Sequence, residues 1–75
     1  MFWIQQTGTK NNNSAYRLFY AESDDDIDFL PTNLVEGTQD TGDTVANQKC
    51  SIGSECLCLS SGLLYVLSSS GWNPM

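Results

Sequence analysis

Three cysteines and a run of carboxylates are the residues of this chain with the most chemical potential. Cys50, Cys56 and Cys58 are an odd number of thiols in a chain without histidine, so a closed zinc site built from one copy needs a carboxylate as its fourth ligand, which is uncommon. Cys56 and Cys58 are two positions apart, which on a strand places both side chains on one face. We expect both to be buried as small apolar groups. A disulfide from Cys50 to one of the pair is the alternative.

The carboxylates are concentrated in one short acidic segment, which contains Glu22, Asp24, Asp25, Asp26 and Asp28. Asp24, Asp26 and Asp28 have the spacing of the first three ligands in an EF-hand calcium loop. The sixth position of that loop is Phe29 instead of Gly, however, and the twelfth is Val35 instead of Glu. We therefore expect a solvated acidic turn, with loose surface binding of a cation as the alternative.

Asp40-Thr41-Gly42 matches the triplet of aspartic proteases. That chemistry requires two carboxylates sharing a proton in a closed apolar site, whereas this triplet lies in a hydrophilic loop and a second one can come only from another copy. A Ser/His/Asp arrangement is excluded because the chain has no histidine, and no Gly-rich phosphate loop follows a predicted strand. We predict that the protein is not an enzyme and has no catalytic residues, cofactor or metal ligands.

Length and charge narrow the classes of partner. The 75 residues predict one small domain over 1–75, near the lower size limit at which a chain folds alone. A net charge of −6 with three basic residues makes nucleic acid an unexpected partner. No apolar run approaches the ~18 residues that cross a membrane, and MFWIQQTG lacks the features of a signal peptide. We therefore expect no membrane partner, and synthesis in a reducing cytoplasm.

The apolar pattern of the first half predicts two strands and a turn. A strand begins at Phe2 and is followed, after a polar loop, by a strand over 15–21, in which apolar side chains occupy both faces. Ser23 or Asp24 begins a short helical turn, and Pro31 ends it by forcing the preceding residue into an extended conformation. Ile27 and Leu30 are predicted to anchor this turn on the sheet, and residues 36–47 to form an exposed loop.

The second half predicts a β-hairpin with strands over 54–59 and 63–67, and with Gly62 in a left-handed turn conformation. Trp72 is expected to close the chain against the sheet. Neither strand has the polar face that a one-sided antiparallel sheet shows in water. The predicted fold is therefore all-β, a small antiparallel sheet, sandwich or barrel with one acidic helical turn. Either the chain covers both faces itself, or one face binds another copy or a different protein.

Three segments resemble a group of very small structural proteins of tailed bacteriophages. They are FYAESDDDIDFLPT at 19–32, GSECLCLSSGLLYVL at 53–67 and SGW at 70–72. Members of the group typically have F-Y-A, an acidic turn, L-P-T, a Gly/Asp/Thr loop, G-S-x-C-L and L-Y-V-L, with a Trp near the end. Many carry a charged residue where this chain has Leu64, so the second face of the hairpin is more apolar here.

The resemblance implies a non-enzymatic virion protein, made in the bacterial host, that stabilises or coats the capsid surface as a decoration or head-fibre protein, or that belongs to the tail. Its expected partners are other copies of itself and a major capsid or tail protein. The predicted attachment residues are Phe2, Trp3, Leu64, Val66 and Trp72, with the acidic turn facing solvent. The alternatives are a tail-associated adhesin whose Tyr and Trp side chains stack on cell-wall sugars, and a small acidic inhibitor of a host enzyme.

Overall fold

The chain folds as a five-stranded β-sheet with one short 3₁₀ helix, and the all-β prediction is confirmed. A computed structural model describes residues 1–8, 16–40 and 44–75, with the backbone alone at 5–8. The elements are β1 (Phe2–Gly8), β2 (Tyr16–Ala21), the 3₁₀ helix (Asp24–Phe29), β3 (Glu55–Cys58), β4 (Leu64–Ser68) and β5 (Gly71–Pro74). The polar loop predicted between the first two strands lies outside the described residues. Across the described ranges, no helix is long and apolar enough to cross a membrane.

The strands are hydrogen-bonded in chain order, and one pair differs from the predicted antiparallel sheet. β1–β2, β3–β4 and β4–β5 are antiparallel, whereas β2 and β3 are parallel. Two parallel neighbours require a long crossover, because the chain has to return to the end of the sheet where it started. Residues 22–54 form this crossover, which carries the 3₁₀ helix and the loop that follows it.

The alternation of side chains along each strand gives the sheet two faces. The inner face is packed against the crossover and contains Phe2, Ile4, Arg17, Phe19, Ala21, Cys56, Cys58, Tyr65, Leu67 and Trp72. The outer face contains Trp3, Tyr16, Leu18, Tyr20, Glu55, Leu57, Leu64, Val66 and Asn73. The hydrophobic core of the described residues therefore lies between the inner face and the crossover.

Phe19 lies at the centre of this core. Its ring makes edge-to-face contacts with the rings of Phe2 and Trp72, each with centroids 6.0 Å apart. Ile27 and Leu30 of the crossover are buried in the same cluster, which confirms that they anchor the acidic turn. Burying a side chain of this size stabilises the fold by about 1.5–3 kcal/mol.

The ends of the 3₁₀ helix follow the predicted signals. Ser23 is its N-cap, and the Ser23 N–H donates a hydrogen bond to the Asp26 carboxylate (3.2 Å). Leu30, at the other end, has the extended conformation that Pro31 imposes (φ −67°, ψ 148°). Gly62, in the hairpin connection, has a φ of 73°, which confirms its predicted left-handed conformation.

The loop predicted as an exposed excursion over 36–47 packs more closely than expected. Ala46 is fully buried in the core, and the Gly37 N–H donates to the carbonyl of Asn47 (2.8 Å). Asn47 and Pro31 lie so close to Gly37 that a Cβ at position 37 would be 2.8 Å from Asn47 Oδ1 and 2.9 Å from Pro31 Cδ. The described part of this loop packs against the inner face and helps to shield its apolar side chains from water.

Candidate functional site

The outer face of the sheet is the candidate functional site, because the crossover leaves it uncovered. Its side chains form two rows that run across the strands. Trp3, Tyr20, Leu57 and Leu64 are register neighbours in the first row, and Leu18, Glu55, Val66 and Asn73 in the second. One row is thus entirely apolar or aromatic, and the other is half so.

Most apolar groups of this face are half-buried, namely Trp3, Leu18, Tyr20, Leu64 and Val66. Leu57 is 37% exposed, and Tyr16, at the end of β2, is 48% exposed. The rings of Trp3 and Tyr20 pack against each other with centroids 5.2 Å apart and planes tilted by 33°, so this pair presents a continuous aromatic surface. Glu55 is the single charged side chain among the described outward-facing residues of the strands.

A sheet face that serves only as a boundary with water normally carries polar residues. Here Leu57, Leu64 and Val66 occupy outward positions that the core does not require. The fold itself is not loose: its accessible surface is 4528 Å², and a compact protein of 8.3 kDa exposes about 4,600 Å². An exposed apolar face on a well-packed domain is typical of an interaction surface.

Three of the five predicted attachment residues lie on this face, namely Trp3, Leu64 and Val66. Phe2 does not, because alternation along β1 turns it to the inner face, where it is 1% exposed. Trp72 also faces inward: it packs on the core, as predicted, and its indole N–H donates to the carbonyl of Pro31 (3.0 Å). Phe2 is therefore a core residue, and Trp72 is a partly buried residue that packs against the core.

Leu18, Tyr20 and Leu57 belong to the outer face, and the prediction did not include them. A signal for two of them was present, since alternation in AYRLFYA places Leu18 and Tyr20 on the face opposite Phe19. What alternation cannot show is which face the rest of the chain covers. That choice depends on the crossover, whose path the strand pattern does not reveal.

The carboxylate of Asp24 links the 3₁₀ helix to the sheet. It accepts hydrogen bonds from the Cys58 thiol (2.6 Å) and from the Tyr65 hydroxyl (3.2 Å). Hydrogen bonds lower the pKa of Asp24 below its ordinary value of 3.8. The bond from the Cys58 thiol contributes most to this shift, and the bond from the Ser61 hydroxyl follows. The pKa of Tyr65 is raised, first by desolvation and then by the nearby Asp24 carboxylate.

Two of the three carboxylates with the EF-hand-like spacing are bonded to other groups of the protein. Asp24 is engaged by Cys58 and Tyr65, while Asp26 binds the Met1 ammonium and the Ser23 N–H. Within the described residues, no group of three His, Cys, Asp or Glu side chains is placed to hold a metal ion. In the protease-like triplet, Asp40 is exposed, and Thr41 and Gly42 lie outside the described residues.

The three cysteines are all free and buried, as predicted for Cys56 and Cys58. The alternative disulfide from Cys50 is not formed, and the Cys50 thiol contacts the carbonyl of Pro31 instead (3.6 Å). Burial, with smaller contributions from Cys58 and Asp26, raises the pKa of the Cys56 thiol to about 12, and burial also raises the pKa of Cys50. Because the thiolate is the nucleophile, a raised pKa disfavours the reactive form of both cysteines at neutral pH.

Comparison of the chain with protein-family models finds no match, and comparison with curated proteins and with solved structures finds none either. The function of this protein therefore has to be inferred from its own residues, and the outer face is the feature from which we infer it.

Proposed function

We propose that this protein is a non-enzymatic structural component of a tailed-phage virion, a capsid-surface decoration or head-fibre protein that associates through its outer face. The observation that carries the proposal is the apolar row of Trp3, Tyr20, Leu57 and Leu64, which lies on the face opposite the core with its side chains half-buried or exposed. The resemblance of residues 19–32, 53–67 and 70–72 to small phage structural proteins supports the same role.

Leu64 contributes directly to this surface. It lies beside Leu57 in the apolar row, at the position where many of the resembling proteins carry a charge. An apolar side chain there extends the row by one strand without a polar interruption. Such a surface favours association by desolvation, at roughly 25 cal/mol for each Å² of apolar area removed from water.

A structural role on a shell also suits a domain of this size. A chain of 75 residues has a small core, and binding to an assembly stabilises the folded form by mass action. Many identical sites on a shell also allow a weak contact to be fully occupied, because the local concentration of partners is high.

The test is the protein composition of virions purified from cells that make the chain. We expect the wild-type chain in many copies per particle, and at least a tenfold lower occupancy for Leu57→Lys, because a lysine charge would be desolvated in an apolar contact. Leu34→Lys is the matched control, since Leu34 is 72% exposed outside the sheet. Absence of the wild-type chain from purified particles would refute the proposal.

A second candidate function is a tail-associated adhesin that binds cell-wall sugars. The observation that favours it is the aromatic content of the outer face, where Trp3 and Tyr20 form a ring pair and Tyr16 is half exposed. Aromatic rings present the flat apolar surfaces on which sugars stack. Binding of the purified chain to isolated host walls, weakened by Trp3→Ala, would favour the adhesin over the shell protein.

A further inference from the structure

We infer that the outer face of one copy is covered by the outer face of a second copy, with the two sheets related by a twofold axis. The inference rests on the proposed function in that it names the occupant of the same surface. It places pairs of this chain on the shell, with the crossover sides of both copies pointing away from the contact.

The distribution of charge favours a second copy as the occupant. The chain carries a net charge of −6, which opposes self-association wherever acidic surfaces meet. The acidic 3₁₀ helix packs on the inner side, however, since Ile27 is in the core and Asp24 bonds to Cys58 and Tyr65 of the inner face. Two copies that meet through their outer faces therefore keep their acidic helices on opposite sides of the pair.

The composition of the outer face favours the same occupant. Glu55 is the one charged side chain that the described strand residues direct outward, whereas surfaces that recognise a different protein generally use complementary charges for orientation. Apolar side chains, by contrast, pack on identical apolar side chains without complementary charges. Two sheets of the same twist also pack face to face at an angle of about −30°, the arrangement of a β-sandwich.

Glu55 determines how the two sheets are oriented. β3 is the central strand of the sheet, so a twofold axis through the middle of the face places β3 of one copy over β3 of the other. An axis parallel to the strands would oppose Glu55 to Glu55 of the partner subunit, which repels. An axis perpendicular to the strands opposes Glu55 to the other end of β3, where Leu57 lies. The structure therefore favours antiparallel packing of the two central strands.

The size of the face sets the strength of the contact. Five strands about 4.8 Å apart and four to seven residues long cover roughly 400 Å² per copy, or about 800 Å² for the pair. Stable interfaces bury about 1,200 Å² or more. The pair is therefore expected to dissociate readily in dilute solution and to be occupied at the local concentrations of a shell.

Analytical ultracentrifugation of the full chain tests the inference. We expect the average mass to rise from 8.3 kDa towards twice that value between roughly 50 µM and 1 mM, the range for a contact of this size. Leu57→Lys is expected to weaken the association at least tenfold. Glu55→Gln is expected to strengthen it about threefold or more, because a carboxylate no longer has to be desolvated. Leu34→Lys, outside the sheet, is expected to behave as the wild type.

Amide chemical shifts recorded over the same dilution series locate the contact independently of any variant. Changes at Trp3, Tyr20, Leu57 and Leu64 support the inference, and changes confined to the crossover overturn it. A wild-type chain that remains monomeric at ~1 mM also overturns it, even if the chain is found on virions, where the shell protein would then cover the face. A chain that dimerises through this face but is missing from virions leaves the inference standing and refutes the proposed function.

Discussion

Arg17 is a buried cation that holds the crossover on the sheet. Replacing it should show how much this attachment contributes to the free energy of unfolding. The side chain is 7% exposed. Its Nη1 donates to the carbonyls of Val45 and Gln48, both at 3.0 Å, and its Nη2 donates to Gln48 Oε1 at 3.0 Å. One guanidinium thus fastens residues 45–48 to β2.

Arg17→Ala is expected to lower the free energy of unfolding by about 3 kcal/mol. Three hydrogen bonds from a charged donor contribute about 1.5 kcal/mol each. Part of this is offset because Arg17 Nε is buried without a partner in the described structure, and removing such a group recovers about 1–2 kcal/mol. Arg17→Lys should lose about 1–2 kcal/mol, because one ammonium cannot reproduce the planar fork.

Urea unfolding followed by the fluorescence of Trp3 and Trp72 measures this loss. The slope of the unfolding free energy against urea concentration is expected to stay unchanged. Lys49→Ala is the matched control: Lys49 is an exposed cation of the same loop and should change the stability by less than about 0.5 kcal/mol. Combining Arg17→Ala with Gln48→Ala should give a coupling energy of about 1 kcal/mol. A loss of unfolding free energy below about 1 kcal/mol for Arg17→Ala would refute the view that Arg17 holds residues 45–48 on the sheet.

Three further predictions concern packing, pH and the thiols. Gly37→Ala is expected to cost about 1–3 kcal/mol in urea unfolding, because the new Cβ would lie 2.8 Å from Asn47 Oδ1. The lowered pKa of Asp24 adds stability that is present above about pH 4 and is lost as the pH falls through the folded-state pKa. Asp24→Asn should therefore reduce the loss of unfolding free energy between pH 7 and pH 3, measured by urea unfolding. All three thiols are buried, burial raises the pKa of Cys56 to about 12, and Cys58 is bonded to Asp24. A thiol reagent at pH 8 should therefore label them only as fast as the chain unfolds. Fast labelling of the native protein would contradict this prediction.

The local features of the fold were predictable because local physics determines them. The alternation of apolar residues identified β1 to β4, although not the short β5, and Pro31 indicated the end of the acidic turn. Gly62 has the left-handed backbone that a three-residue connection requires. Each of these depends on residues within a few positions of one another, which is the range over which a single sequence is informative.

The parallel pairing of β2 and β3 was not predictable, because it depends on where residues 22–54 return. Phe2 was assigned to the attachment surface although it faces the core, because alternation alone does not show which face of β1 the crossover covers. Trp72 also faces inward, but it is only partly buried. The burial of Arg17 was not predicted either. Its partners are backbone carbonyls more than twenty residues away, and every residue type has a backbone carbonyl, so the sequence does not indicate which ones lie near Arg17.

The parallel β2–β3 pair has a consequence for how the chain folds. β1–β2 and β3–β4–β5 are each closed by antiparallel neighbours that follow in the chain, whereas Leu18 and its register neighbour Glu55 come from opposite sides of the crossover. Forming this seam requires closure of a long loop, which slows folding more than it reduces stability. The sheet is accordingly an antiparallel pair and a three-stranded meander joined along one parallel ladder. A chain cleaved within the crossover would leave two complementary fragments that we expect to reassemble along this ladder.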